Sequence, residues 1–475
     1  MQNNTQEIFD VAVIGAGAIG AGIAYELSKL DVGVAIIEKA AIPVQGTTKG
    51  NSGVLHAGYD DPEGTLREEL VVKGNRRYDD WAAELGVSVV RNGSMVVAMN
   101  DEDMDYIRKL YERGTARNVE GLELLSGVET RALEPNLNPA VQGALRAKTA
   151  GVVCPMTVVN MLFKNIVANG VTPFMGREVI GFDFEDPDTI GVVTSNGTIR
   201  ARTVVNAAGV HGDEVSAMAG IDQYRITPRK GEYILLEPHP DYNVDHVIFP
   251  TPAKNSKGAL VIRTATGDVL LGPTADDLPK EEQDNTATTP EGLQEGLEKT
   301  RRLVPGVRTE LTVKTYAGNR AEPDTKDFII ERYREPAGFI NAIGIRSPGL
   351  TAAPAIADRV VGLVQEVIGP RKRRDDYQQV RFAVYEPWEE AKEDIRWADT
   401  LTPNLDAPPR VLLDHAWKFG VGSQLYQYNC FADRGLGVDL GTTFQNEMIT
   451  YLQEKGVPLE QTVYRANQPP QVIPK

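Results

Sequence analysis

The sequence predicts an α/β protein that opens on a nucleotide-binding βαβ unit, and three observations carry that prediction. Phe9 to Ile14 is a mostly apolar run of strand length. It leads directly into Gly15-Ala16-Gly17-Ala18-Ile19-Gly20. Gly33 to Glu38 is a second apolar run, and it closes on an acid. Between the runs, Ala18 to Lys29 reads as a helix, because Ile19, Ile23, Ala24 and Leu27 share one face. Strand, glycine turn, helix, strand and acid fit within the roughly thirty residues of one such unit, so the domain they open is of the Rossmann type.

The later elements follow from the same periodicities. Asp61 to Leu85 reads as mostly helical, Met95 to Met99 as a strand, and Asp101 to Arg117 as a helix whose acidic first turn suits the helix dipole. Thr157 to Asn169 is a further helix. Short strands follow at Val179–Phe182, Gly191–Thr194 and Thr203–Val205, with Asn196-Gly197 as a hairpin signal. Arg225 to Leu271 is strand-rich (Glu232–Leu236, Ala259–Ile262, Val269–Leu271), Asp276 to Thr289 reads as a loop, and Pro290 to Leu303 as a helix with proline at its start. Phe339–Gly344 is a strand and Thr351–Ile368 a long apolar helix. From Gly369 the character changes, to a charged run at Arg371–Asp376 and a tail holding Trp388, Trp397 and Trp417.

Composition narrows the function. A chain of 475 residues holds two or three structural units, and 41% apolar with 24% charged residues is ordinary for a globular protein. A net charge of −16 argues against a nucleic-acid binder and against tight adhesion to an anionic membrane. Two cysteines far apart make no disulfide framework, thiol-redox pair or multi-cysteine metal site, so no metal is expected and a reducing, cytoplasmic setting fits. The polar N-terminus has no signal-peptide pattern, and no apolar stretch approaches the roughly twenty residues of an integral membrane segment.

The glycines sit where phosphate chemistry needs them. Gly15 permits the tight turn, Gly17 lets a pyrophosphate approach the backbone, and Gly20 lets the helix pack against the strand. Glu38, about twenty residues on, is placed to accept hydrogen bonds from an adenosine ribose. The fingerprint alone leaves NAD and FAD open.

Three further segments decide between them. They are Gly46-Thr47-Thr48-Lys49-Gly50-Asn51-Ser52-Gly53-Val54-Leu55-His56-Ala57-Gly58, Val204-Val205-Asn206-Ala207-Ala208-Gly209 and Gly344-Ile345-Arg346-Ser347-Pro348-Gly349-Leu350-Thr351. This set resembles the FAD-dependent oxidoreductases of the D-amino-acid oxidase superfamily, in the branch of glycerol-3-phosphate dehydrogenase/oxidase and L-2-hydroxyglutarate oxidase, over roughly residues 8–370. The resemblance implies FAD as cofactor. It implies contacts from Gly15, Gly17, Ala18, Ile19, Gly20, Glu38 and Lys39, then from Thr48, Asn51, Ser52 and Gly53. It adds Val179 against adenine, with a plain core valine as the alternative, and Ala208 and Gly209 near the phosphates. Gly344, Arg346, Gly349, Leu350 and Thr351 complete the set, their backbone N–H groups facing the flavin's pyrimidine edge; the alternative is a Ser-Pro helix start with no ligand.

The same resemblance implies the chemistry. It puts His56 beside the flavin ring, where an imidazole can accept a hydroxyl proton; a histidine bonded to a carbonyl and a tether for covalent flavin are the other readings. Arg320 would grip the substrate's anionic group, the alternative being a surface ion pair with Glu322 or Asp324. Asn319-Arg320-Ala321 departs from the family's apolar-Arg-Pro, which leaves the anion less defined. Lys257, before Gly258, is a candidate second phosphate contact, or a solvated loop lysine. Ser347 offers a hydroxyl to substrate, Arg229-Lys230-Gly231-Glu232 is read as mainly structural, and Cys154 as a small buried hydrophobe at a helix start.

The expected protein is therefore a discontinuous FAD-binding domain (1–90, 145–222, 310–370), a substrate domain built on a mixed or antiparallel sheet (91–144, 223–309), and a C-terminal extension of unknown role (371–475), whose Trp and Tyr residues suggest packing over the active site or a homo-oligomer contact. The expected reaction is hydride transfer from an anionic secondary alcohol to flavin N5, first sn-glycerol 3-phosphate to dihydroxyacetone phosphate. L-2-hydroxy acids, and amines or amino acids, are the alternatives. A non-catalytic flavin sensor would need none of His56, Arg320 and Ser347. O2 or a quinone is the expected electron acceptor, with peripheral attachment at the inner face of the membrane left open.

Overall fold

The computed structural model describes residues 8–252 and 258–381, together with the strands Thr462–Arg465 and Gln468–Val472. Apart from the turn 266–268, the described residues up to Arg381 form one compact unit. The two late strands pair antiparallel with each other in a second unit.

The first sheet grows from the glycine-turn strand. Ile8–Ile14 pairs parallel with Val34–Glu38 on one side and with Gly197–Asn206 on the other. Thr172–Met175 extends it parallel beyond Val34–Glu38, and Phe339–Ile343 runs parallel to the C-terminal half of Gly197–Asn206. Three antiparallel strands complete its 8: Val179–Asp183, Ile190–Thr194 and Ile329–Arg332. The central strands are buried on both faces, which is why they read as continuous apolar runs and not as alternating ones.

Glycines let three helices pack closely against one another. Any side chain at Gly22, in the Ala18–Ser28 helix, would meet the Trp81 ring of the Leu66–Leu85 helix at 2.6 Å. One at Gly74 would meet the carbonyl oxygen of Thr351, in the Gly349–Ile368 helix, at 2.2 Å. The Leu66–Leu85 helix starts later than its apolar spacing suggests. Pro62 and Gly64 stop it upstream, and Thr65 caps it by accepting the Glu68 N–H at 3.2 Å. The helix expected from Thr157 starts at Pro155, a first-turn proline, with the half-buried Cys154 as its cap residue.

The second sheet has 9 strands and is antiparallel except where Val247–Pro250 runs parallel to Ser94–Ala98. Its longest pairing joins Ile226–Leu236 to Thr312–Pro323. The latter strand is not evident in the sequence. It also lies on the other side of the boundary expected at 310, because its hydrogen bonds attach it to the mixed sheet. The expected loop Asp276–Thr289 holds a short strand, Asp276–Asp277, and a 3-10 turn, Lys280–Glu282. A small third sheet of Val54–Leu55, Gly151–Val153 and Val89–Val90 presents His56 at its edge.

Candidate active site

A cavity of about 650 Å³ runs from the glycine turn to the mixed sheet. At its nucleotide end Gly15 has φ +99°, and a Cβ there would stand 2.5 Å from the Ala207 carbonyl oxygen. A Cβ at Gly20 would stand 1.9 Å from the Gly15 oxygen, so neither position admits a side chain. Gly17 caps the first helix without a side-chain hydrogen bond, which leaves the dipole end turned to the cavity. Thr48 accepts the Ala18 N–H at 3.1 Å.

Glu38 reaches back to the turn. Its two oxygens accept the N–H groups of Ala16 (2.8 Å) and Ala40 (2.9 Å), and each retains capacity for a hydroxyl donor. Lys39 sits at the rim, its ammonium 2.7 Å from His211 Nε2 and 3.1 Å from Asp284. Ile19, Asn51, Ser52 and Val179 also line the cavity, as do Ala208 and Gly209. A side chain on Gly209 would meet no atom within 4 Å, so its backbone faces open space. This cradle fits FAD: it joins a helix N-terminus, glycines that bring backbone to the cavity wall, and a fixed carboxylate at the ribose distance along the chain.

At the other end the segment Gly344–Leu350 and the mixed sheet converge. Ser347 Oγ lies 3.3 Å from His56 Nε2, and the Phe249 ring flanks the imidazole with centroids 5.8 Å apart. The His56 backbone is held from two sides. Its N–H donates to Thr351 Oγ1 at 3.0 Å, and its carbonyl accepts from Asn75 Nδ2 at 2.8 Å. Thr351, Gly20, Gly53 and Gly344 thus stand behind the wall instead of in it, shaping the backbone of their neighbours. Gly349, Leu350, Arg346, Ser347, His56 and Arg320 are brought together in the wall itself. Lys257 lies outside the described residues.

Four guanidinium groups meet here: Arg67, Arg229, Arg320 and Arg346. Arg346 Nη1 donates to Glu322 Oε1 at 2.5 Å. Arg229 grips Asp277 through two nitrogens, at 2.6 and 3.0 Å, and lies 3.5 Å from Glu322. Arg67 has Asp61 and Asp327 at 3.8 Å. Arg320 has no carboxylate within ion-pair distance among the described residues; Nη2 donates to the Thr274 carbonyl, and the bare Gly231 makes room for the group. The alternative pairing of Arg320 with Glu322 or Asp324 is not formed. Burial lowers the proton affinity of both Arg320 and Arg346 below the ordinary arginine range.

Some wall residues are not evident in the sequence. Arg67, Asp60 and Asp61 follow His56 closely, but only the turn at Pro62–Gly64 folds them back onto the cavity. Arg229, read as structural, lines the cavity, whereas its neighbour Glu232 is structural: it accepts from Thr289 N and Oγ1, at 2.7 and 2.9 Å, beside the Pro290–Leu303 helix. Tyr233 stacks on Tyr316 at 4.9 Å and closes the wall beside Arg320. Among the described residues no group of acidic, histidine and cysteine side chains could hold a metal, and no helix is long and apolar enough to cross a membrane.

Comparison with known proteins agrees with this geometry. The family model for FAD-dependent oxidoreductases (DAO) matches residues 10–363. A glycerol 3-phosphate dehydrogenase of Caloramator mitchellensis is 40% identical over 379 residues, which cover 79% of this chain and 78% of that protein. A glycerol 3-phosphate oxidase of Mycoplasma genitalium is 29% identical over 365 residues, 75% of this chain and 95% of that protein. The structure of dithionite-reduced L-alpha-glycerophosphate oxidase from Mycoplasma pneumoniae with FAD bound superposes with a TM-score of 0.75 at 27% identity, covering 80% of this chain and 100% of that one.

Proposed function

The chain belongs to the DAO family of FAD-dependent oxidoreductases, and from that we propose that it oxidises the secondary alcohol of sn-glycerol 3-phosphate to dihydroxyacetone phosphate. Arg320 carries this reading. It is the one guanidinium of the four at this end with no carboxylate within ion-pair distance among the described residues. A cation taken from water without a counter-ion is costly, and the substrate's phosphate supplies the missing charge. Relatives named for glycerol 3-phosphate support the same choice.

The residues then divide the work. Arg320 anchors the phosphate and so fixes which carbon faces the cofactor. Bound FAD supplies a two-electron acceptor for the hydride leaving that carbon. His56 Nε2 takes the hydroxyl proton as the carbonyl forms. Ser347 Oγ, 3.3 Å away, orients the imidazole and the hydroxyl against each other. Phe249 and Tyr233 supply apolar wall beside these polar groups, which strengthens the hydrogen bonds made there. We assign FAD binding to the first sheet with its helices, and substrate binding to the mixed sheet, now including Thr312–Pro323. Reoxidation falls to O2 or a quinone, in a cytoplasmic setting.

Arg320→Met tests the reading. Loss of a charge-assisted contact to phosphate raises KM about 100-fold or more while flavin content stays that of the wild type. An unchanged KM refutes it.

A further inference from the structure

Glu322 stands two residues from Arg320 on one strand, so both side chains leave it on the same face. The carboxylate is 3% exposed, yet it does not pair with Arg320. Oε1 takes the hydrogen bond of Arg346 Nη1 at 2.5 Å, and Oε2 makes no hydrogen bond, facing Arg229 Nη1 at 3.5 Å. Arg346 immediately precedes Ser347, whose hydroxyl meets His56.

We propose that Glu322 is a positioning and specificity-determining residue: it holds the Arg346 guanidinium off the substrate's anionic group, leaving Arg320 as the uncommitted guanidinium among the described residues at this end, and it fixes the backbone beside Ser347. The proposal rests on the reading of Arg320 as the anion contact.

The reason lies in how binding energy is used. Two free guanidinium groups would grip substrate and product phosphate alike, and binding that is equal in ground and transition states does not raise turnover. One buried carboxylate committed to Arg346 removes the second grip. It also keeps the residue beside Ser347 from following the anion. Two buried guanidinium groups near one another repel, so Glu322 further offsets the cost of placing Arg346 next to Arg320.

Inorganic phosphate is the probe, its binding to the FAD-loaded full chain measured by calorimetry. Glu322→Gln keeps the side chain's shape and frees Arg346, so phosphate binds about 10-fold more tightly and kcat falls; Glu322→Asp, which keeps the charge, restores the wild-type affinity. Arg320→Met abolishes phosphate binding, and adding Glu322→Gln to it recovers part of that binding through Arg346. Adding Arg346→Met to the Arg320→Met/Glu322→Gln pair removes the recovered binding, and flavin content checks that each variant folds. Unchanged or weaker phosphate binding in a flavin-loaded Glu322→Gln, or recovered binding that survives Arg346→Met, overturns the proposal. Unchanged binding in Arg320→Met instead removes the anion reading beneath it.

Discussion

His56, the proposed base, is held in place by its neighbours. Thr351 accepts its backbone N–H, Asn75 donates to its carbonyl, and Ser347 meets its Nε2. These contacts fix the backbone, so the imidazole is presented at the cavity wall, where the proposed proton exchange with substrate would take place. His56→Gln preserves size and backbone contacts but removes the base, so kcat falls by about 100- to 10,000-fold with flavin content unchanged. Near-wild-type turnover in that variant would reduce His56 to a packing residue. His56, Ser347 and Arg320 were legible in the sequence because they sit in segments of fixed pattern. Arg67, Asp60 and Glu322 were not, since their place depends on which strand lies beside which loop.

At the scale of elements, cofactor cradle and substrate wall meet at one pair of glycines. The 3-10 turn Thr47–Gly50 lies against the strand Thr312–Pro323 where Gly50 faces Gly318. A Cβ on Gly318 would stand 2.3 Å from the Gly50 oxygen, and one on Gly50 would stand 2.5 Å from the Gly318 Cα. Thr47 Oγ1 donates to the Asn319 carbonyl at 2.6 Å across the same junction. Gly318→Ala forces the two backbones apart, so FAD affinity and KM worsen together, with a loss of about 1–3 kcal/mol in stability by thermal unfolding. A variant with worse KM but unaltered FAD binding would show that the two regions are not coupled here. The turn-helix-strand opening could be read because its buried strands are uniformly apolar. Thr312–Pro323 escaped because its first half is only partly buried and its sequence, TVKTYAGNRAEP, lacks apolar alternation.

At the scale of the molecule, one largely parallel sheet and one mixed sheet contribute to a long cavity with the glycine turn and helix N-terminus at one end and an arginine cluster at the other. The two-sheet architecture was legible from the order of the strands, and FAD from segments spread over the first 351 residues. The aromatic tail, expected to cover the site or join subunits, lies almost wholly outside the described residues. The central proposal is that a phosphorylated secondary alcohol bound in this cavity gives up a hydride to FAD. The direct test is anaerobic titration of the purified protein with sn-glycerol 3-phosphate, following the visible flavin bands. The bands should bleach as substrate is added, and an air pulse should restore them if O2 is the acceptor. Flavin bands that stay unchanged at saturating glycerol 3-phosphate would contradict it.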